Sequence, residues 1–198
     1  MAERFMQTVL TPSVLAAQEH YYGRRASIGS APERDPLTEE ERTFIEARDS
    51  FYVATITESG WPYIQHRGGP RGFLRVVSPT QLVFADYKGN RQMLSTGNLA
   101  ANDRVALFLM DYPRRERLKI LGHARIEDAR QHAELVAQFA EAEVQPLVER
   151  LCFIEVVSFD WNCPKYITPR YTAAEVEEGV APLRQRIAEL EGRLKAQS

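Results

Sequence analysis

Four short apolar runs crowded between Phe51 and Ala85 constrain this chain more than any other feature. The run from Phe51 to Thr57 is β-branched and aromatic, the composition of a strand. Glu58-Ser59-Gly60 turns the chain, and Pro62 to Arg67 brings it back as a second strand. Gly68-Gly69-Pro70 breaks that run. Gly72 to Val77 and Gln81 to Ala85 form a second hairpin around Ser78-Pro79-Thr80. Strands joined by turns this short pair antiparallel.

Three longer strands follow. Arg104 to Met110 is strongly apolar, Arg117 to Glu127 has a bulge or bend at Gly122, and Leu151 to Trp161 is the last. Thr38-Glu39-Glu40-Glu41 is a capping box, and its helix runs to about Asp49. Further helices are expected over Asn90 to Ala101, Arg130 to Val144 and Thr172 to Lys195. The expected fold is α+β, with six or seven mostly antiparallel strands closing into a small barrel and helices covering its ends. Residues 1–37 form an arm, residues 38–171 the barrel domain and residues 172–198 an amphipathic C-terminal helix. In the arm, Thr11-Pro12-Ser13 signals a helix start, and Gly23 to Pro36 reads as a linker. On the last helix Leu183, Ile187, Leu190 and Leu194 form a seam suited to docking on a body or a partner subunit.

Composition excludes several classes. A net charge of −2 and a pI of about 6.1 argue against a general nucleic-acid binder. No apolar run is long enough to span a membrane, and the first residues lack a secretory apolar core, so the expected location is the cytoplasm. Cys152 and Cys163 suit a reducing compartment, and neither has metal-ligand spacing around it, so no metal is expected.

Two polar clusters bracket the second hairpin: Gln65-His66-Arg67-Gly68-Gly69-Pro70-Arg71-Gly72 and Asp86-Tyr87-Lys88-Gly89-Asn90-Arg91-Gln92. Each joins Arg to Gly at the end of a strand or the start of a helix. Glycine lets the backbone approach an anion, and arginine offers a planar fork of donors. Asn90 is placed to cap the following helix, whose first turn is itself an anion site. Asn90 with Arg91 alone would read as an ordinary helix start; the Gln65–Gly72 cluster beside it favours a phosphate-bearing ligand.

The order of these motifs from Glu39 to Glu127 resembles the FMN-binding split-barrel family, the pyridoxamine 5′-phosphate oxidase-like flavoproteins. The resemblance implies a split β-barrel, an FMN cofactor, and a homodimer in which both subunits bind FMN at their interface. Gln65 stands where the oxidase has Arg, and Pro70 where it has Lys. Ala85 and Asp86 match the strand end, and Asn90-Arg91-Gln92 replaces a phosphate-gripping Ser-Arg-Lys. Arg117 falls where a Gln contacts the flavin. Arg67, Arg71 or Lys88 can supply the lost positive charge. The implied cofactor residues are Gln65, His66, Arg67, Gly68, Pro70, Ala85, Asp86, Lys88, Asn90, Arg91, Gln92 and Arg117. These replacements, and the lack of the family's C-terminal Arg-x-His signature, point to a substrate other than pyridoxamine phosphate. Trp161 and Arg170 have a spacing similar to a flavin-contacting Trp/Arg pair.

Bland readings stand beside these. His66 is first a hydrogen-bonded residue facing the barrel interior. Lys119 and His123 suit a solvated face, and His20 and His132 the surface. Cys163 and Lys165 sit in a polar loop where a thiol or an amine could serve a cofactor. The expectation is a flavin-dependent oxidoreductase using a small-molecule donor; the alternative is a carrier of flavin, deazaflavin or haem without turnover. No catalytic residue is named.

Overall fold

The structure is a computed structural model that describes residues 3–27, 29–161 and 164–196. It divides into two compact units, Met1–Met110 with Arg117–Cys163, and Asp111–Glu116 with Pro164–Ser198.

The first unit is organised by an antiparallel sheet. Its seven strands are β1 (Ser50–Ile56), β2 (Pro62–Gly68), β3 (Leu74–Ser78), β4 (Gln81–Tyr87), β5 (Arg104–Asp111), β6 (Glu116–Asp128) and β7 (Val148–Trp161). Their order is β2-β1-β5-β6-β7-β4-β3. The α+β class and the antiparallel hairpins are as expected. The expected closure is not seen, since β2 and β3 end the sheet without pairing to each other. The hairpins β1–β2 and β3–β4 lie at opposite ends because β4 pairs with β7 from the other end of the sequence.

Two apolar clusters cover the inner strands. Leu82 and Phe84 face one cluster with Phe51, Leu107, Ile120 and Ile154. Val83 and Ala85 face the other with Phe139, Leu151 and Phe153. β4 is therefore buried on both faces from Leu82 to Asp86. At Gly122 the β6–β7 register shifts, and a Cβ there would lie 2.5 Å from the Glu155 carbonyl oxygen. The expected bulge thus needs glycine for space.

The helices are α1 (Glu3–Val9), α2 (Pro12–Tyr22), α3 (Glu39–Glu46), α4 (Leu94–Ala101), α5 (Ala133–Phe139) and α6 (Ala173–Ala196). The capping box of α3 is present: the Glu41 carboxylate accepts from the Thr38 N–H at 2.9 Å. Trp161 Nε1 donates to the other Glu41 oxygen at 2.7 Å and ties this cap to the end of β7. Thr11 caps α2 as expected. No sequence signal marks α1, whose first N–H groups donate to the Asp35 carboxylate from 30 residues on. Its Phe5 is buried, and the Asp35 N–H donates to Val157 of β7, so the arm packs on its own chain. The long helix expected over 130–144 is instead the seven-residue α5 between two 3₁₀ turns.

The second unit carries α6. Thr172 Oγ1 accepts from the Glu175 N–H, and the Glu175 carboxylate accepts from the Thr172 N–H at 2.7 Å, a second capping box. Arg170 lies over the Tyr112 ring at 4.9 Å.

Candidate functional site

The end of β4 carries a buried charge. Asp86 is 5% exposed. Its two oxygens accept from Arg67 Nη1 at 2.6 Å and from Arg150 Nε at 2.8 Å. Arg67 comes from β2 and Arg150 from β7, where it pairs directly with Asp86. A carboxylate taken out of water needs such partners, since an unpaired buried charge costs several kcal/mol. Arg150 Nη2 also reaches the Glu149 carboxylate, at 3.4 Å, and Arg91 pairs with Glu149, so three guanidinium groups stand against two carboxylates and leave a net positive charge. Arg67 Nε is buried with no hydrogen-bond partner in the structure. A buried donor without a partner is an exception that calls for one, such as a water or an anion.

Beside this triad lies an open cavity of about 300 Å³. Gln65, His66, Arg67 and Gly68 line it from β2, Ala85 and Asp86 from β4, and Lys88, Asn90, Arg91 and Gln92 from the loop that follows. Ten of the twelve expected residues therefore come together. Arg67, Lys88, Arg91 and Arg150 are its cationic lining residues, and Asp86 is its acidic one. The neighbouring glycine is fixed by packing: a Cβ on Gly69 would lie 2.7 Å from the Phe73 ring and 2.8 Å from Tyr87.

Arg150 falls outside the strand expected from the sequence, which begins at Leu151, three residues too late. The strand starts at Val148, and the β4–β7 register shifts between Asp86 and Tyr87. Tyr87 pairs with Val148 and Asp86 with Arg150, so Glu149 is the extra residue of a bulge. Glu149 Oε1 accepts from Arg91 Nε at 3.1 Å and Nη2 at 2.8 Å. This bonding holds the Glu149 carboxyl below its ordinary range. Burial, with Glu141 nearby, pushes the Tyr87 phenol up, so it stays protonated at neutral pH.

Several expectations are corrected here. Asn90 does not cap a helix. Its Oδ1 accepts from the Gln92 N–H within the loop, and α4 begins only at Leu94. Arg91 and Met93 have φ of +59° and +58°, left-handed conformations that a right-handed helix excludes. The buried face of α4 is polar: Ser95 donates to Gln65 at 2.7 Å and Asn98 to Thr55 at 2.9 Å. The apolar Met93 and Leu94 are exposed. Although His66 borders the cavity, its ring is exposed and packs edge-on against Tyr52, because the pleat sends Gln65 and Arg67 to the other face.

Pro70 and Arg71 do not line the cavity. Neither does Arg117, which lies next to the Leu118–Trp161 pair, at the other end of β6 from Asp128 and Arg150. Trp161 is committed to Glu41 and packs edge-on against Phe44. Lys119 pairs with Asp160 at 2.9 Å, and His123 with Asp103 at 2.9 Å. Burial pushes the Cys152 thiol up to about 12, so it is an inert core residue. Cys163 lies outside the described residues. Among the described residues no group of three or more His, Cys, Asp or Glu side chains is placed to hold a metal, and no helix is long and apolar enough to cross a membrane.

With this geometry in view, the comparisons with known proteins are informative about ancestry. The pyridoxamine 5′-phosphate oxidase family model matches residues 37–156, more than half of the chain. The chain belongs to that family. No curated protein matches it in sequence. Among solved structures it is similar to HupZ of Group A Streptococcus, with a TM-score of 0.48, 17% identity, and 64% of this chain and 99% of that one covered. It is also similar to General Stress Protein 26 of Bacillus anthracis, with a TM-score of 0.46 and 15% identity over 60% of this chain and 88% of that one. The heme storage protein HutZ of Vibrio cholerae gives 0.43 and 17% identity over 61% and 90%.

Proposed function

We propose that this chain is an FMN-binding oxidoreductase, acting as a homodimer on a small molecule other than pyridoxamine phosphate. The observation that carries the reading is the Arg67–Asp86–Arg150 triad, with its orphaned Arg67 Nε, at the wall of a cationic cavity. A phosphate monoester fits this donor set. Arg67, Lys88 and Arg91 would hold the phosphate oxygens, and Asp86 would keep both half-buried guanidinium groups oriented. Gly68, Ala85, Asn90 and Gln92 would shape the entrance. Bound FMN would supply a hydride acceptor; the protein's part is to position it and exclude water.

For the dimer, the supporting feature is an apolar groove of about 510 Å³ on the first unit, with Tyr52, Ile64, Phe108 and Leu121 in its walls and Lys119 its one charged lining residue. Ile64 is 67% exposed there. A second copy seated on this face would bury it. Arg117 and Pro70, outside the cavity of their own subunit, would on this reading serve the cavity of the other. The same anion grip suits a flavin, deazaflavin or haem carrier that does not turn over, which is the alternative reading.

The test is a titration of the purified protein with FMN, followed by flavin absorption and fluorescence. Saturable binding should weaken by about tenfold in Arg91→Ala, one charge-assisted contact's worth. A protein that takes up no FMN overturns the proposal. Anaerobic bleaching by NADH or NADPH supports the enzyme over the carrier, and a Soret band with haem supports the haem alternative.

A further inference from the structure

We infer that α6 is a parallel, two-stranded coiled-coil element that pairs two copies of this chain. The apolar seam that holds Leu183, Ile187, Leu190 and Leu194 extends back to Val176. Val176, Val180, Leu183, Ile187 and Leu190 follow four-three-four-three spacing along one continuous helix, and Leu194 keeps the same step. No residue of α6 is buried. Leu183 is 63% exposed, Ile187 55% and Leu190 43%. In heptad terms Val180, Ile187 and Leu194 take position a, and Val176, Leu183 and Leu190 take position d. In the two central heptads β-branched Val180 and Ile187 at a sit with Leu183 and Leu190 at d, the combination that selects two strands over three or four.

The flanking charges select orientation. Arg186 is at g and Glu191 at the following e. In a parallel pair these two positions face each other across the seam, so Arg186 of one copy meets Glu191 of the other, twice by symmetry. In an antiparallel pair g faces g, so Arg186 would meet only another g residue, Gly179, Arg186 or Arg193 according to register, and never the Glu191 at e. Along the single helix Arg186 reaches only Glu189, at 2.9 Å, and Arg184 reaches Glu177. The helix-weakening residues lie off the seam: Gly179 at g, Pro182 at c and Gly192 at f. A helix carrying them gains most from a partner along its apolar stripe. The inference does not depend on the cavity's ligand.

The experiment is disulfide trapping in the full-length chain with Cys163→Ser, where Cys152 is buried in the core. Leu183→Cys and Leu190→Cys are each oxidised under mild conditions, with Gln185→Cys, at the outward f position, as control. Each seam variant should form a same-residue inter-chain disulfide at least ~10-fold faster than the control, because equivalent d positions face each other in a parallel pair. Arg186→Glu should slow trapping, and Arg186→Glu with Glu191→Arg should restore it. Trapping no faster than the control overturns the inference. So does cross-linking seen only when Leu183→Cys and Leu190→Cys chains are mixed, which marks an antiparallel pair. FMN titration of the same variants separates this result from the cofactor proposal, since loss of the coiled coil leaves the triad intact.

Discussion

The inner strands β4 and β7 and the edge hairpin β1–β2 use the same antiparallel pairing to opposite ends. β4 is covered on both faces, and at its end the coverage allows a carboxylate to be held dry between two guanidinium groups. β2 has no buried residue at all, and it offers Ile64 to the outside, with the exposed Trp61 just before it. Burial on two faces makes a strand a place to fix charge; burial on one leaves a surface for a partner. The sequences differ with the neighbours: β4 carries the continuous apolar run Leu82-Val83-Phe84-Ala85, while β2 alternates between exposed and half-buried positions.

The sharpest way to break the comparison is Asp86→Ala. It leaves the half-buried Arg67 and Arg150 without their shared carboxylate, and denaturant unfolding should show a loss of about 3–5 kcal/mol. A loss under about 1 kcal/mol would mean that the corner is wet and the triad dispensable. On the edge face the expected effect is on association. Ile64→Asp should raise the dimer dissociation constant by about a hundredfold, roughly 2.8 kcal/mol, with little change in the unfolding of the monomer. Sedimentation of wild type and variant across concentration checks it; unchanged mass would refute that face as the interface.

Next in size is Glu41→Gln, at the far end of β7. Burial raises the Glu41 carboxyl, but bonds from Thr38 and Trp161 outweigh it and leave the folded group lowered from its ordinary 4.5. A lowered carboxyl contributes stability that is complete above the unfolded value and fades as pH falls through the folded one. The variant should lose about 1 kcal/mol at pH 7, and the gap to wild type should close below about pH 4. A gap that persists in acid would assign the loss to packing against Trp161 instead. The smallest stability effect belongs to Arg91→Ala. Its pair with Glu149 is 62% exposed on the Arg side, and such pairs are worth about 0–1 kcal/mol. Any larger fall in melting temperature would show that Arg91 supports the fold and not only a ligand.

Much of the cavity was legible because its residues lie in two short segments. Arg67 and Asp86 sit at the ends of strands with clear alternation, so placing the strands placed them. Arg150 was not legible, because its role depends on a register shift opposite Tyr87 that no local signal marks. The Asn90 cap failed for a related reason. Asn side chains serve loops as readily as helix starts, and only the left-handed Arg91 and Met93 decide between them. The polar inner face of α4 broke the rule that apolar positions mark the buried side, since Ser95 and Asn98 find side-chain partners on β1 and β2.

By itself the sequence determined the local events. Periodicity, caps, tight turns and the glycine at the β6 bulge are set by residues within a few positions of each other, and their physics is that of short-range sterics and hydrogen bonds. Tertiary structure alone decided which strands meet, that the sheet stays open between β2 and β3, that Asp35 caps a helix 30 residues away, and that Arg150 shares Asp86 with Arg67. Those outcomes rest on burial and charge pairing between distant segments, where the energy depends on neighbours that only folding supplies.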